Sequence, residues 1–281
     1  MNLPILLLTV ALVAVLALIV GWWIGRRSRN SWPDSLPSPR LPRDEQERKR
    51  RDFVANVSHE LRTPVSIIKG FSETLLQDFD TLKEGDQKKF LEKIQRNSGR
   101  LHSLVEDLLS LARLDSPESG FEKQNCDLKL LIERATDDFK SGMGEESITL
   151  NLKIPEGNFS VHGDEDRLLS IFQNLLENAS VHAHGLTKIS ISLEKEEDSF
   201  ICKVEDDGQG IPEEDLPRVF ERFYRVDKGR SRQRGGTGLG LSIVREVVEA
   251  HGGSIRVQSK QRAGSIFLVR LPSAPKFLPL K

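Results

Sequence analysis

From Phe90 to Leu114 the seam positions fall four and three residues apart by turns: Phe90, Ile94, Asn97, Leu101, Leu104, Leu108 and Leu111, with Leu114 beside them. A repeat averaging three and a half residues makes a helix turn one narrow stripe toward a partner helix. A second stripe precedes it. Phe53, Val54, Val57, Leu61, Val65 and Ile68 share one face when read at helical period. The sequence therefore predicts a charged and then amphipathic helix from about Asp44 to Gln77, a turn at DFDTLKEGD (78–86) and a second helix. Two helices alone bury such seams poorly. Two copies make four, so a homodimeric antiparallel four-helix bundle is expected.

On the face opposite the first stripe, His59 lines up with Asp52, Asn56, Thr63 and Ser66, which points it at solvent. A neutral imidazole is a good nitrogen nucleophile near pH 7, and the adjacent Glu60 could take or orient its second ring proton. Pro64 removes a backbone donor, so a kink is expected just past the histidine. Taken alone, such a residue is an ordinary surface histidine. The downstream sequence has to decide.

At the other end, LPILLLTVALVAVLALIVGWWIG runs from Leu3 to Gly25 without a charge, enough to span a bilayer core. Trp22 and Trp23 sit where an interfacial belt would lie, and Arg26, Arg27 and Arg29 place the C-terminal side in the cytoplasm. A cleaved signal peptide would need a basic start and a shorter apolar core. With only Met1 and Asn2 ahead of the span, no external sensor domain is expected. SWPDSLPSPRLPR (31–43) reads as an extended linker. A net charge of −1 gives no pointer to nucleic acid. Cys126 and Cys202 fit neither a metal site nor a disulfide framework, and read as reduced, buried hydrophobes.

After a second linker, DSPESGFEKQN (115–125), the pattern changes to helices alternating with short β-like runs at 148–154, 188–193, 200–204, 254–259 and 265–271. This predicts an α+β or α/β sandwich. FQNLLENA places Asn174 and Asn178 on one helix face, and their amide oxygens suit a hard cation such as Mg²⁺. VEDDGQGIP puts Asp206 at a strand end, an acceptor suited to an exocyclic amine, beside Gly208 and Gly210. GGTGLGLSIVREVVEAHGG sets Gly236, Gly238 and Gly240 before an amphipathic helix, whose first amides suit phosphate; it matches neither a Walker nor a Rossmann motif. Between them, EEDLPRVFERFYRVDKGRSRQR (213–234) reads as a mobile lid over polyphosphate, pinned by Phe220, Phe223 and Tyr224. Each cluster has a plainer reading: a surface helix, an Asp-Gly turn, a glycine loop.

In their order, SHELRTP, NLLENA, DDGQGIP, FYRVD and GGTGLG, these motifs resemble the membrane-bound sensor histidine kinases of bacterial two-component systems, over nearly everything from about residue 48 to 272. The resemblance implies a helical hairpin that dimerises and carries the phosphoacceptor His59, and an ATPase lobe of the GHKL (Bergerat) type shared with Hsp90, gyrase B and MutL. It makes Glu60 the base of autophosphorylation and Thr63 the residue that positions water for dephosphorylating the partner. ATP and Mg²⁺ are implied, with Asn178 as metal ligand and Asn174 as phosphate or metal-shell contact. Asp206 becomes the adenine reader, Gly208 and Gly210 its neighbours, Arg225 the lid arginine, and the Gly236-Thr237-Gly238-Leu239-Gly240 stretch the phosphate loop. Partners implied are a second copy and a response-regulator receiver domain, with no nucleic acid. RDFVANVSHELRTP (51–64) is similar to the phosphate-starvation sensors.

The expected layout is a transmembrane helix at 3–25, a basic linker at 26–43, the hairpin at 44–115, a linker at 116–125, the ATP-binding domain at 126–273 and a tail at 274–281. The chain is then a single-pass protein of the cytoplasmic membrane, taking its input from a membrane partner or from the span itself. Two departures stand out: Val181 and His182 replace the Lys-Tyr many relatives carry after ENA, and the last glycine motif is trimmed to Ala263-Gly264-Ser265. His251 reads as a helix C-terminal residue. The alternatives are a non-catalytic dimeric scaffold and an ATP-driven clamp without phosphotransfer.

Overall fold

The computed structural model describes residues 43–114, 122–142, 148–182, 185–226 and 236–274. The expected transmembrane span and residues 227–234 of the lid lie outside the described residues, among which no helix is long and apolar enough to cross a membrane. The chain divides into two compact units, 1–51 and 52–281. Of the first, only the opening turns of helix α1 (Arg43–Asp78) are described.

Helix α1 pairs with α2 (Glu84–Leu114) to form the predicted hairpin. The stripe reading holds: Val57 is buried, Phe53, Val54, Leu61, Val65 and Ile68 are half-buried, and Asp52, Asn56 and His59 are exposed. The turn falls where DFDTLKEGD places it, with the amides of Thr81 and Leu82 donating to the Asp78 carbonyl. The helix runs on through Pro64, which is itself buried. In α2 the seam residues Asn97, Leu104 and Leu111 are buried. Leu104 and Leu111 join the core of the following domain, and Phe53, Leu61, Leu108 and Leu114 pack against it.

That domain runs β1 (Gln124–Asp127), α3 (Leu128–Gly142), β2 (Thr149–Lys153), β3 (Ser160–Gly163), α4 (Glu165–His182), β4 (Lys188–Lys195), β5 (Ser199–Asp206), a 3₁₀ turn at Leu216–Arg218, α5 (Gly240–Ala250), β6 (Ser254–Ser259) and β7 (Ser265–Pro272). A five-stranded sheet has the order β2-β4-β5-β7-β6, with only β2 and β4 parallel, and β1 pairs with β3. Alternate residues of the central strands form one buried layer. Ile191 stands opposite Val204, Leu193 opposite Cys202, Val204 opposite Phe267 and Cys202 opposite Val269. All of these are buried. Helix α4 packs against both α3 and α5, and Phe172, Leu175 and Leu176 of α4 are almost wholly buried. Burying each such side chain contributes about 1.5–3 kcal/mol. Helices α3 and α4 start where side chains cap them: Asp127 accepts from the Lys129 amide and Asp164 from that of Arg167.

Both cysteines are free and buried, as their spacing suggested. Strands β1 and β3 were not foreseen. At four residues each they are too short for a pattern to stand out, and they exist because they pair with each other across α3 and β2.

Candidate active site

On α1 the His59 side chain is 63% exposed, and its Nδ1 lies 4.0 Å from Glu60 Oε1. Thr63, one turn on, donates its hydroxyl to the His59 carbonyl at 3.2 Å. Glu60 is far less free than its neighbour. Its Oε2 accepts from Arg100 at 2.6 Å and from Arg225 at 3.4 Å, and both guanidinium groups are buried. Sequence reasoning had no signal for Arg100. It occupies an inner position of α2 that a stripe of leucines would have assigned to an apolar residue.

Helix α4 carries Asn174 and Asn178 into a cleft. Asn174 donates its amide to the Ser170 carbonyl at 2.8 Å, which leaves its oxygen turned the other way. A Cβ on Gly240 would stand 2.7 Å from that oxygen, so only glycine lets the start of α5 come this close. The residue before α5, Leu239, makes no side-chain cap. An uncapped start leaves amides available to an anion. Gly236, Thr237, Gly238 and Gly240 line the same cleft, as do Val219 and Tyr224 of the lid segment, Glu177 and Val181 of α4, and Ser103 and Asp107 of the hairpin.

Other expected residues stand elsewhere. Leu239 is fully buried in the core and holds α5 by packing, so it is not a cleft residue. Asp206, Gly208, Gly210 and Arg225 lie outside the cleft wall. Asp206 has the same strand parity as Phe200, Cys202 and Val204, so its side chain points into the buried layer. Burial raises its pKa, while hydrogen bonds from the Gly208 amide and from Ser265 pull the other way. Gly210 has a positive φ, and a Cβ there would overlap the Lys260 carbonyl oxygen. It interlocks two loops beside Asp206. Arg225 donates to the Gly236 carbonyl besides meeting Glu60. The Phe223 amide donates to the Gly238 carbonyl at 2.7 Å, and its ring lies 5.7 Å from that of Phe53. Arg222 pairs with Glu246 of α5 at 2.7 Å. The lid pins thus tie the glycine stretch to the hairpin. Val181, one of the two departures, forms part of the cleft wall.

The amide oxygens that α4 brings to the cleft, from Asn174 and Asn178, are of the kind that hard divalent cations take, and they fit Mg²⁺.

Comparison with known proteins agrees with this geometry. Residues 49–117 match the His Kinase A (phospho-acceptor) domain, and residues 163–275 match the histidine kinase-, DNA gyrase B- and HSP90-like ATPase family. Over 229 residues the chain is 40% identical to the sensor-like histidine kinase SenX3 of Mycolicibacterium smegmatis, spanning 80% of this chain and 58% of that one. It is 36% identical over 231 residues to the sensor histidine kinase WalK of Bacillus subtilis, spanning 82% of this chain and 38% of that one. The chain thus covers little more than half of the first relative's length and less of the second's. The crystal structure of histidine kinase ThkA in complex with the response regulator protein TrrA matches with a TM-score of 0.63 at 26% identity, covering 85% of this chain and 68% of that one. With both domains matched in the order their motifs suggested, the chain belongs to the two-component sensor histidine kinases.

Proposed function

We propose that the chain is an ATP-dependent protein-histidine kinase that phosphorylates its own His59 and passes the phosphoryl group to an aspartate of a response-regulator receiver domain. The observation that carries this reading is the exposed imidazole of His59 beside Glu60, on one chain with a cleft lined by Asn174, Asn178 and an uncapped helix start. Glu60 faces Nδ1, which leaves Nε2 as the nucleophile. In the transfer, the Nε2 lone pair forms the N–P bond while the bond from the γ-phosphorus to its bridging oxygen breaks. ADP departs with that electron pair, and Glu60 takes the Nδ1 proton. Bound Mg²⁺ would neutralise phosphate charge, with Asn178 and Asn174 as the protein's oxygen donors. The amides that open α5 and the glycine stretch receive the phosphates, Arg225 swings from Glu60 to the terminal one, and Asp206 accepts from the adenine amine. A phosphoimidazole link is high in free energy, so a carboxylate can accept the group downhill. Thr63, one turn from His59, then orients the water that releases it from the regulator.

The same reading makes the molecule a homodimer through its hairpin. Leu76, Phe79 and Leu91, all more than half exposed around the hairpin turn, supply apolar surface for a second copy. It also anchors the chain in the cytoplasmic membrane through the uncharged run at 3–25, with the catalytic part in the cytoplasm and input arriving from the span or a membrane partner.

Incubating the chain with γ-labelled ATP and Mg²⁺ tests the chemistry. Label stable in alkali, lost in acid and absent from His59→Gln is expected. ATP hydrolysis without label would replace the kinase with a clamp, and neither activity would leave a scaffold.

A further inference from the structure

One hairpin acid has no part in the transfer yet reaches the cleft. Asp107 lies on α2, and its Oδ2 accepts the Thr237 hydroxyl proton at 2.6 Å. The same hydroxyl oxygen accepts from the Leu239 amide at 3.2 Å, so Thr237 is held between the start of α5 and a carboxylate of the other domain. Ser103, one turn earlier on α2, completes that wall. Glu60 does the corresponding thing on the lid side, where it holds Arg225. Thr237 within the glycine stretch and Arg225 beside it are therefore both bonded to hairpin acids. Burial raises the Asp107 carboxyl to about 6 against the pull of the Thr237 bond, with Glu177 and Glu106 pushing further, so this corner already accommodates a negative charge poorly. A polyphosphate brought alongside would meet a like charge on its own donors.

We infer that Asp107 is a built-in competitor of the nucleotide: docked on Thr237 it occupies the phosphate end of the cleft, so this hairpin contact and bound ATP exclude one another. The contact sets nucleotide affinity by where the hairpin stands. It rests on the ATP-binding reading above and adds to it a residue from the opposite domain.

The test titrates a fluorescent trinitrophenyl-ATP analogue, with Mg²⁺, into the full chain and two variants. Asp107→Ala removes the competitor, and Glu106→Ala, an exposed acid next to it on the same helix, removes the same charge without the contact. Alanine favours helix, so both variants keep α2. Affinity is expected to rise about tenfold in Asp107→Ala, the order of one charge-assisted hydrogen bond, and to stay within about twofold in Glu106→Ala. Equal effects in the two variants, or no effect in either, would overturn the inference while leaving ATP binding intact. Weaker binding in Asp107→Ala would also overturn it, by making Asp107 a ligand of the bound cation. Absence of binding in all three chains would remove the ATP reading and the inference together.

Discussion

His251 is a buried imidazole whose tautomer is dictated by its neighbours. The Asp164 amide donates to Nε2 at 3.1 Å, so that nitrogen is the acceptor, and Nδ1 donates to the Val247 carbonyl at 2.7 Å. Only the neutral ring satisfies both. Burial lowers the pKa from the usual 6.5, and nearby Lys123 and Arg167 add to the effect while the Val247 bond and Asp164 oppose it. The folded state resists protonation more than the unfolded one does. The contribution of His251 to stability is therefore complete above about pH 6.5 and shrinks as pH falls from there through the lower folded value. Urea midpoints measured between pH 7 and pH 5 are expected to fall more steeply for the native chain than for His251→Gln. The role was legible in part: the position before Gly252-Gly253 marked a helix end, while the link to Asp164, which caps α4, depends on a fold contact. His59 shows the opposite case. Its solvent face follows from helical period alone, but the two arginines around its neighbour Glu60 come from α2 and the lid.

At the scale of elements, the strands of five or more residues were readable and the two four-residue ones were not. The runs at 254–259 and 265–271 coincide with β6 and β7, and the alternation of β4 marks Ile189, Ile191 and Leu193 as its inner face. In β5 the alternation of Phe200, Cys202 and Val204 carries on to Asp206, which is why a carboxylate sits in the buried layer at the strand's end. Strands β1 and β3 are four residues each, and even the alternating burial of β3 is too short a run to stand out in sequence. The glycines of the DDGQGIP motif were read as neighbours of Asp206, and Gly210 also has a reason within the fold: the loop after β5 presses on the turn between β6 and β7. Replacing Gly210 with alanine forces a positive φ on a side chain and drives its Cβ into the Lys260 carbonyl. The expected cost is about 3 kcal/mol. At Gly185, where φ is also positive but the surroundings are open, alanine is expected to cost about 1 kcal/mol. Denaturant midpoints of the two variants give the comparison.

For the molecule as a whole, the apolar surface of the hairpin falls in two parts, and the proposed dimer rests on the second. Toward its C-terminal end, Leu104 and Leu111 of α2 are buried in the ATPase-type domain of the same chain. Toward the turn, Leu76, Phe79 and Leu91 stand 62, 53 and 55% exposed. Changing these three to serine is expected to raise the dimer dissociation constant by at least about a hundredfold, since each buried apolar side chain is worth about 1.5–3 kcal/mol. Light scattering across a dilution series reads this directly, and an unchanged melting transition of the ATPase-type domain is expected alongside. Periodicity determined the hairpin, the outward histidine and the inner layer of the sheet, because helical and strand spacing act between residues close in the chain. Motif order carried the family for the same reason: each motif is a local loop or helix start. The docking of α2 on Thr237, the guanidinium pair around Glu60 and the burial of Asp206 were settled by tertiary structure alone. They join residues far apart in sequence, and a side chain's charge says nothing of its partner until the fold brings the two within hydrogen-bonding distance.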